Sequence, residues 1–193
     1  FQNNLPIVPI TDLAVKDRHL IAATQGRSFW IVDDLSPLYE IETAKKSKTH
    51  LFTPKPTYAL QAGYGGTSKT MGENHPDGAI INYYLETVDT AVTIYTLNFK
   101  NAQGEVVRTF SSKSTDRQSK WVPKQGANRF IWNWQTDGVK PVPGMILWWS
   151  SLRGPVAKTG EYKVSLCLNK NVISTQTFRI LKNPLSEGSE KDI

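Results

Sequence analysis

The sequence predicts an all-β chain, an Ig-like or fibronectin-like β-sandwich that follows three short strands. Three observations carry that prediction. Runs rich in Val, Ile and Tyr are short and are punctuated by 11 Pro and 13 Gly in 193 residues, which is a turn-dense pattern. Alternation of period two runs through Ala91 to Phe99 and Gly160 to Leu168, as in strands whose two faces differ. Beyond residue 57 at least six such runs follow one another, separated by turns, which is the strand count of an Ig-like sandwich. Six Trp and a hydrophobic content of 39% are enough to fill its core.

The elements follow in order. Ile10 to Val15, Leu20 to Thr24 and Phe29 to Val32 are short strands, with turns at Lys16-Asp17-Arg18-His19 and Gln25-Gly26-Arg27-Ser28. Leu20 to Ala23 and Phe29 to Val32 are apolar on both faces, so each needs a layer above and a layer below. Asp33 to Pro37 closes this unit, and residues 38–56 form a linker whose lysine-rich part, Thr43 to Thr49, is a loop or a short helix. Pro54 and Pro56 hold the chain extended. Ala62 to Gly78, with five glycines, reads as a mobile loop.

The sandwich, residues 57–183, is organised around Gly78 to Phe110. That stretch holds strands at Ala79 to Thr87, Ala91 to Phe99 and Glu105 to Phe110. The apolar load of the second strand changes sides midway, which predicts a kink. Asn101-Ala102-Gln103-Gly104 is a hairpin turn with Gly104 at positive φ. Ser111 to Lys120 is a polar loop. In the strand Asn128 to Trp134, Phe130, Trp132 and Trp134 share a core face. Gly138 to Pro155 is a long connection. Gly160 to Leu168 and Val172 to Leu181 form a hairpin, with Val164, Leu166 and Leu168 on the core face and Lys163, Ser165 and Cys167 on a wet one.

Several of these segments resemble a known family. Leu5-Pro6-Ile7-Val8-Pro9-Ile10, Ala22-Ala23-Thr24-Gln25-Gly26-Arg27 and Trp30 to Leu38 are similar to the closing blade of large bacterial sortilin-like β-propellers, proteins often labelled as Asp-box repeat or glycosyl-hydrolase-like. His50 to Pro56 resembles that family's linker and Gly72 to Leu85 the first strand of its C-terminal sandwich. Gly126 to Trp132 and Gly160 to Val164 also follow its pattern, in the same order. The family has His where Gln25 stands, Gly at Ser28 and Pro at His75. The resemblance implies that residues 1–37 are the remnant of a propeller blade, and that the parent protein is periplasmic, cell-surface or secreted. It also implies that residues 184–193 lead into a helix. Ser189 would be the N-cap there, with Asp192 in an acidic first turn. The chain is then an internal fragment. Its uncovered blade face is expected to fold onto the sandwich or to pair with another copy rather than to stay partly disordered, with residues 1–9 and 185–193 the least ordered. No Asp-box (Ser-x-Asp-x-Gly-x-Thr-Trp) occurs within it.

Charge and cysteine content narrow the function classes. A net charge of +6 is moderate, and the one lysine cluster, Lys45, Lys46 and Lys48, has no aromatic neighbour to stack on a base, so no nucleic-acid partner is expected. Cys167 is the single cysteine, so no internal disulfide forms. No apolar run approaches the ~20 residues of a helical membrane span.

Catalytic chemistry is not legible. His19, His50 and His75 are far apart, and the best local cluster, Glu73, His75 and Asp77, reads as a polar turn with too few oxygen ligands for a hard cation. Cys167 has no activating base beside it, and no serine sits in a Gly-x-Ser-x-Gly elbow. Asp33 and Asp34 belong to a turn rather than to a glycosidase pair. Gly63 to Thr70 lacks the spacing of a phosphate loop. No catalytic residue, metal or cofactor is therefore assigned.

The remaining candidates are aromatic. Trp148, Trp149, Trp121 and Tyr64 lie in loops and are the candidate ligand-binding residues, because exposed rings stack on the C–H faces of sugars. The competing reading, which the large buried area of such rings favours, packs them into the fold. The first expectation is thus a non-catalytic accessory module with a structural or interaction role, whose partners are the rest of a propeller and a protein or polysaccharide. The second is a carbohydrate-binding module serving a glycan-active propeller. The third is part of an enzyme whose active site lies on other blades. Exposure of the four aromatics separates the first two.

Overall fold

The computed structural model describes residues 4–60, 74–139, 142, 144–146, 148–149 and 151–188. Among these the chain is mostly β, with eleven strands and one helix, and it divides into two compact units, Phe1–Thr43 and Ala44–Ile193. Residues of the loop from Gln61 to Glu73 and the expected helix start at Ser189 lie outside the described residues.

The first unit holds a three-stranded antiparallel sheet, β1 (Ile10–Lys16), β2 (His19–Thr24) and β3 (Phe29–Val32), in the order β1-β2-β3. Asp17 and Arg18 both take positive φ, as the tight turn between β1 and β2 demands, and Gly26 and Ser28 do so in the next turn. The expected double burial is not found. Every residue of β1 is exposed, Phe29 is 70% and Ile31 57% exposed, and Ala22 is the one buried residue of the three strands.

Helix α1 (Ser36–Ser47) occupies about half of the segment expected to be a turn and a linker; it covers most of Thr43 to Thr49, where a short helix is one of the two expectations, and begins seven residues earlier. Helix is therefore not confined to short turns. Ser36 and Pro37 open it, and proline is accommodated there because a first-turn N–H has no helical partner to lose. Asp34 Oδ1 accepts from the Ser36 N–H at 2.9 Å. Lys45 and Lys46 lie in the last turn, where the helix dipole favours cations. Lys48, at φ 62°, then reverses the chain.

The second unit contains two sheets. One is three-stranded, in the order β4 (Thr49–Leu51), β6 (Ala79–Leu85), β9 (Gly126–Trp132). The other is a curled, mixed five-stranded sheet: β5 (Thr57–Tyr58), β11 (Asn171–Leu181), β10 (Gly160–Leu168), β7 (Tyr95–Lys100) and β8 (Val106–Ser111), with β5 parallel to β11. Their inward residues form one core, and β4, expected in the linker, is part of it through Leu51. At its centre the Phe99 and Trp132 rings lie 4.4 Å apart, with Phe178 and Tyr162 packed around them. Phe130, Trp132 and Trp134 all point inward and Arg129, Ile131 and Asn133 outward, as the alternation predicts.

Two strand readings change. The strand expected from Ala91 begins at Tyr95. Asp89 caps the preceding turn, with its carboxylate accepting from the Ala91 N–H and its carbonyl from the Thr93 N–H, and the expected kink becomes the strand's start. The face of β10 expected to be wet is dry at Ser165 and Cys167, 6% and 1% exposed. β10 is the central strand of five, and its short side chains lie below their cross-strand neighbours, Asn98 donating to the Cys167 sulfur at 3.4 Å.

Candidate functional site

The second unit presents two features at the same end of its chain path, a loop and a cleft, and one arginine fixes both. The loop spans Gly138 to Pro155. Its neck is a short antiparallel ladder: the Thr136 N–H and hydroxyl donate to the Pro155 carbonyl at 3.0 and 2.9 Å, and the Ala157 N–H to the Trp134 carbonyl at 2.7 Å. Glycine is required on both sides of this neck. A Cβ on Gly138 would lie 1.9 Å from the Leu152 carbonyl oxygen, and one on Gly154 2.4 Å from those of Thr136 and Asp137.

Arg108 ties the neck to β8. Its guanidinium is buried, donates to the Asp137 carboxylate at 3.0 Å and to the Gln118 carbonyl at 2.6 Å, and lies 4.9 Å from the Phe110 ring centroid. The Asp137 N–H adds a bond to the Val107 carbonyl at 2.8 Å. Nε of Arg108 and Nε1 of Trp134 are enclosed with no hydrogen-bond partner among the described residues. Sequence reasoning missed Arg108, although a signal was present: it falls in phase with Phe110, so a charge occupies the inward face of a strand.

A cleft of about 290 Å³ opens beside this arginine, where the edge strands β8 and β9 of the two sheets approach each other. Phe110, Phe130 and Ile131 supply its apolar surface. Arg108, Gln118, Asn133, Gln135 and Arg153 supply its polar surface. The wall that carries Gln118 is held by Asp116. The Asp116 carboxylate accepts from the Gln118 N–H at 3.0 Å and from the Ser119 hydroxyl at 2.8 Å. These bonds hold its pKa below the ordinary carboxylate range, the Gln118 N–H contributing most.

The four sequence-predicted aromatics separate. Trp148 is 80% exposed and Trp149 fully so, the latter with φ 56°. Trp121 is a core residue, 4% exposed and edge-on to Tyr83 at 5.2 Å, so it offers no face to a ligand. Burial raises the Tyr83 pKa above the ordinary phenol value. Tyr64 lies outside the described residues, as do Glu73 of the acidic loop cluster and Gly63 to Thr70. Around the tryptophan pair the loop also exposes Val139, Val142, Met145 and Ile146.

Among the described residues no three His, Cys, Asp or Glu side chains gather as metal ligands, and no helix is long and apolar enough to cross a membrane. His75 Nδ1 lies 2.9 Å from the Pro76 carbonyl oxygen, a local turn contact. Cys167 is buried and unbridged. No protein-family model, curated protein or solved structure matches the chain.

Proposed function

We infer that the chain is a non-catalytic accessory module of an exported β-propeller protein, an Ig-like sandwich that follows the end of a propeller blade and acts through its surfaces. The observation that carries this reading is an apolar loop that is held at its neck. The neck at Gly138, Gly154 and Asp137 is tightly bonded, yet Trp148 and Trp149 face solvent. A soluble fold rarely keeps six large apolar side chains exposed on one loop without a partner for them. The sheet of residues 10–32 supports the same reading, since Leu13, Val15, Phe29 and Ile31 are all more than half exposed and suit burial against further β-structure. The order of the family-like segments along the chain supports the propeller assignment and, with it, a periplasmic, cell-surface or secreted setting. The parent's reading frame upstream of Phe1 tests this. Asp-box repeats are expected there, and a frame without them overturns the propeller reading.

A second reading is favoured by the tryptophan pair itself, namely that the loop stacks on a polysaccharide. Trp148→Ala and Trp149→Ala should then weaken binding to an oligosaccharide at least tenfold while leaving the melting temperature nearly unchanged, because neither ring is buried. A large loss of stability in either variant would return the rings to a packing role.

A further inference from the structure

The cleft beside Arg108 is chemically different from the tryptophan loop. Its volume of about 290 Å³ is at the lower end of the ~300–1,000 Å³ typical of ligand pockets, which fits one ring-sized unit rather than a long chain buried throughout. Three side-chain amides, Gln118, Asn133 and Gln135, line it. Asn133 and Gln135 are joined by two long bonds, Asn133 Nδ2 donating to Gln135 Oε1 and the Gln135 N–H to Asn133 Oδ1, both at 3.4 Å, and each amide keeps a further N–H and a further oxygen lone pair for a ligand. That is the complement of a set of hydroxyls. Phe130 and Ile131 give an apolar patch for the C–H face of a ring.

The charges then select among hydroxylated ligands. Arg108 is already matched by the Asp137 carboxylate at 3.0 Å. Arg153, exposed at the cleft, makes no ion pair among the described residues, and its one bond is from its backbone N–H to the Ser151 hydroxyl at 3.1 Å. The lining therefore carries one uncompensated positive charge in a planar fork, which suits a single carboxylate held by two parallel bonds. A phosphate dianion fits less well. It would bring a second negative charge toward Asp137 and leave the three amides without hydroxyls.

We propose that this cleft is a binding subsite for a hexuronate unit, a sugar ring that bears a carboxylate, with Arg153 holding the carboxylate and Gln118, Asn133 and Gln135 the ring hydroxyls. The proposal shares only its kind of ligand with the polysaccharide reading above and does not depend on Trp148 or Trp149.

The test is an NMR titration of the full ¹⁵N-labelled chain with trigalacturonate, and in parallel with neutral galactotriose and with inorganic phosphate. Trigalacturonate should give saturable shifts in the backbone amides of Asn133, Gln135 and Arg153. Arg153→Ala should weaken that binding about tenfold or more, the scale of a lost charge-assisted pair, and added salt should weaken it in the parent protein. Trp148→Ala with Trp149→Ala should leave it within twofold. Arg153 is exposed, so its variant is expected to fold, which an unchanged melting temperature confirms. Absence of saturable shifts at millimolar trigalacturonate, equal binding of galactotriose, or phosphate binding as tightly at the same residues would each overturn the proposal. Binding that survives Arg153→Ala but is lost with the two tryptophans would sink the cleft while upholding a glycan-binding loop.

Discussion

The two β-units of this chain are built from similar strands and differ in what lies over them. β10 and β6 are apolar and buried because each sheet of the second unit covers the other, and Val164, Leu166, Ala79 and Ile81 are fully enclosed. β2 and β3 are as apolar, yet Phe29 and Ile31 stay largely in solvent. An apolar run thus states what a strand is able to bury, and the covering layer has to be supplied by another element. That difference sets the expected scale of every substitution. Removing a ring from the second unit leaves a cavity, whereas removing one from the first removes exposed surface.

The sharpest form of the comparison is Trp132→Ala, which should destabilise the second unit by about 3–5 kcal/mol, the range for truncating a fully buried aromatic. Urea denaturation followed by the remaining tryptophans measures it. A cost under about 1 kcal/mol would mean that the two sheets do not share one core. Gly138→Ala comes next. Its Cβ would collide with the Leu152 carbonyl, a backbone atom that has to move, so a cost of about 1–3 kcal/mol is expected. Faster proteolytic cleavage between residues 139 and 153 should accompany it. Unchanged cleavage and stability would show that the neck is looser than its hydrogen bonds indicate.

Arg108→Met should cost less, about 1–2 kcal/mol, because it strands the Gln118 carbonyl but leaves the half-exposed Asp137 carboxylate to water. It also removes an enclosed Nε that has no hydrogen-bond partner among the described residues, which offsets part of the loss. A double-mutant cycle with Asp137→Asn isolates the ion pair. A coupling near zero would reduce Arg108 to a packing role. Phe29→Ser and Ile31→Ser in the first unit should each change stability by less than about 0.5 kcal/mol. A loss comparable to that of Trp132→Ala would show that these side chains are covered in solution and would erase the contrast between the two units.

Much of the second unit was legible from residue order alone. The alternation in Asn128 to Trp134 set the inward face of β9, and Gly104 at φ 85° is where the hairpin required it. What escaped depends on contacts distant in sequence. Trp121 stands among Lys120, Val122 and Pro123, and its burial follows only when the loop from Ser111 folds back to bridge Lys120. Arg108 meets Asp137 across 29 positions, so neither residue announces the pair. The cleft is made by the meeting of two edge strands that belong to different sheets, and no local pattern reports such a meeting. The start of helix α1 escaped for a different reason, since Ser36-Pro37 serves equally as the end of a turn and as the start of a helix.

The smallest effect concerns the cleft's own wall. Asp116 is solvent-exposed, and its carboxylate is held below the ordinary range chiefly by the Gln118 N–H and then by the Ser119 hydroxyl. A carboxylate whose folded pKa is depressed binds fewer protons in the folded than in the unfolded state, so its contribution is full above the unfolded value, near pH 4. It is lost as pH falls through the lower folded value. Acid should therefore loosen the 114–119 turn first, and with it the Gln118 carbonyl that Arg108 uses. Hydrogen exchange at the Gln118 and Ser119 amides, followed from pH 5 downward alongside the Asp116 carboxylate's own NMR titration and corrected for intrinsic rates, measures this. Protection should fall in step with protonation of Asp116 in the parent. In Asp116→Asn it should be low throughout, because the amide oxygen accepts more weakly than a carboxylate and does not titrate. Protection that is unchanged once Asp116 is protonated would show that the turn is held by the backbone bond from the Ser119 N–H to the Asp116 carbonyl, at 3.1 Å, rather than by the carboxylate.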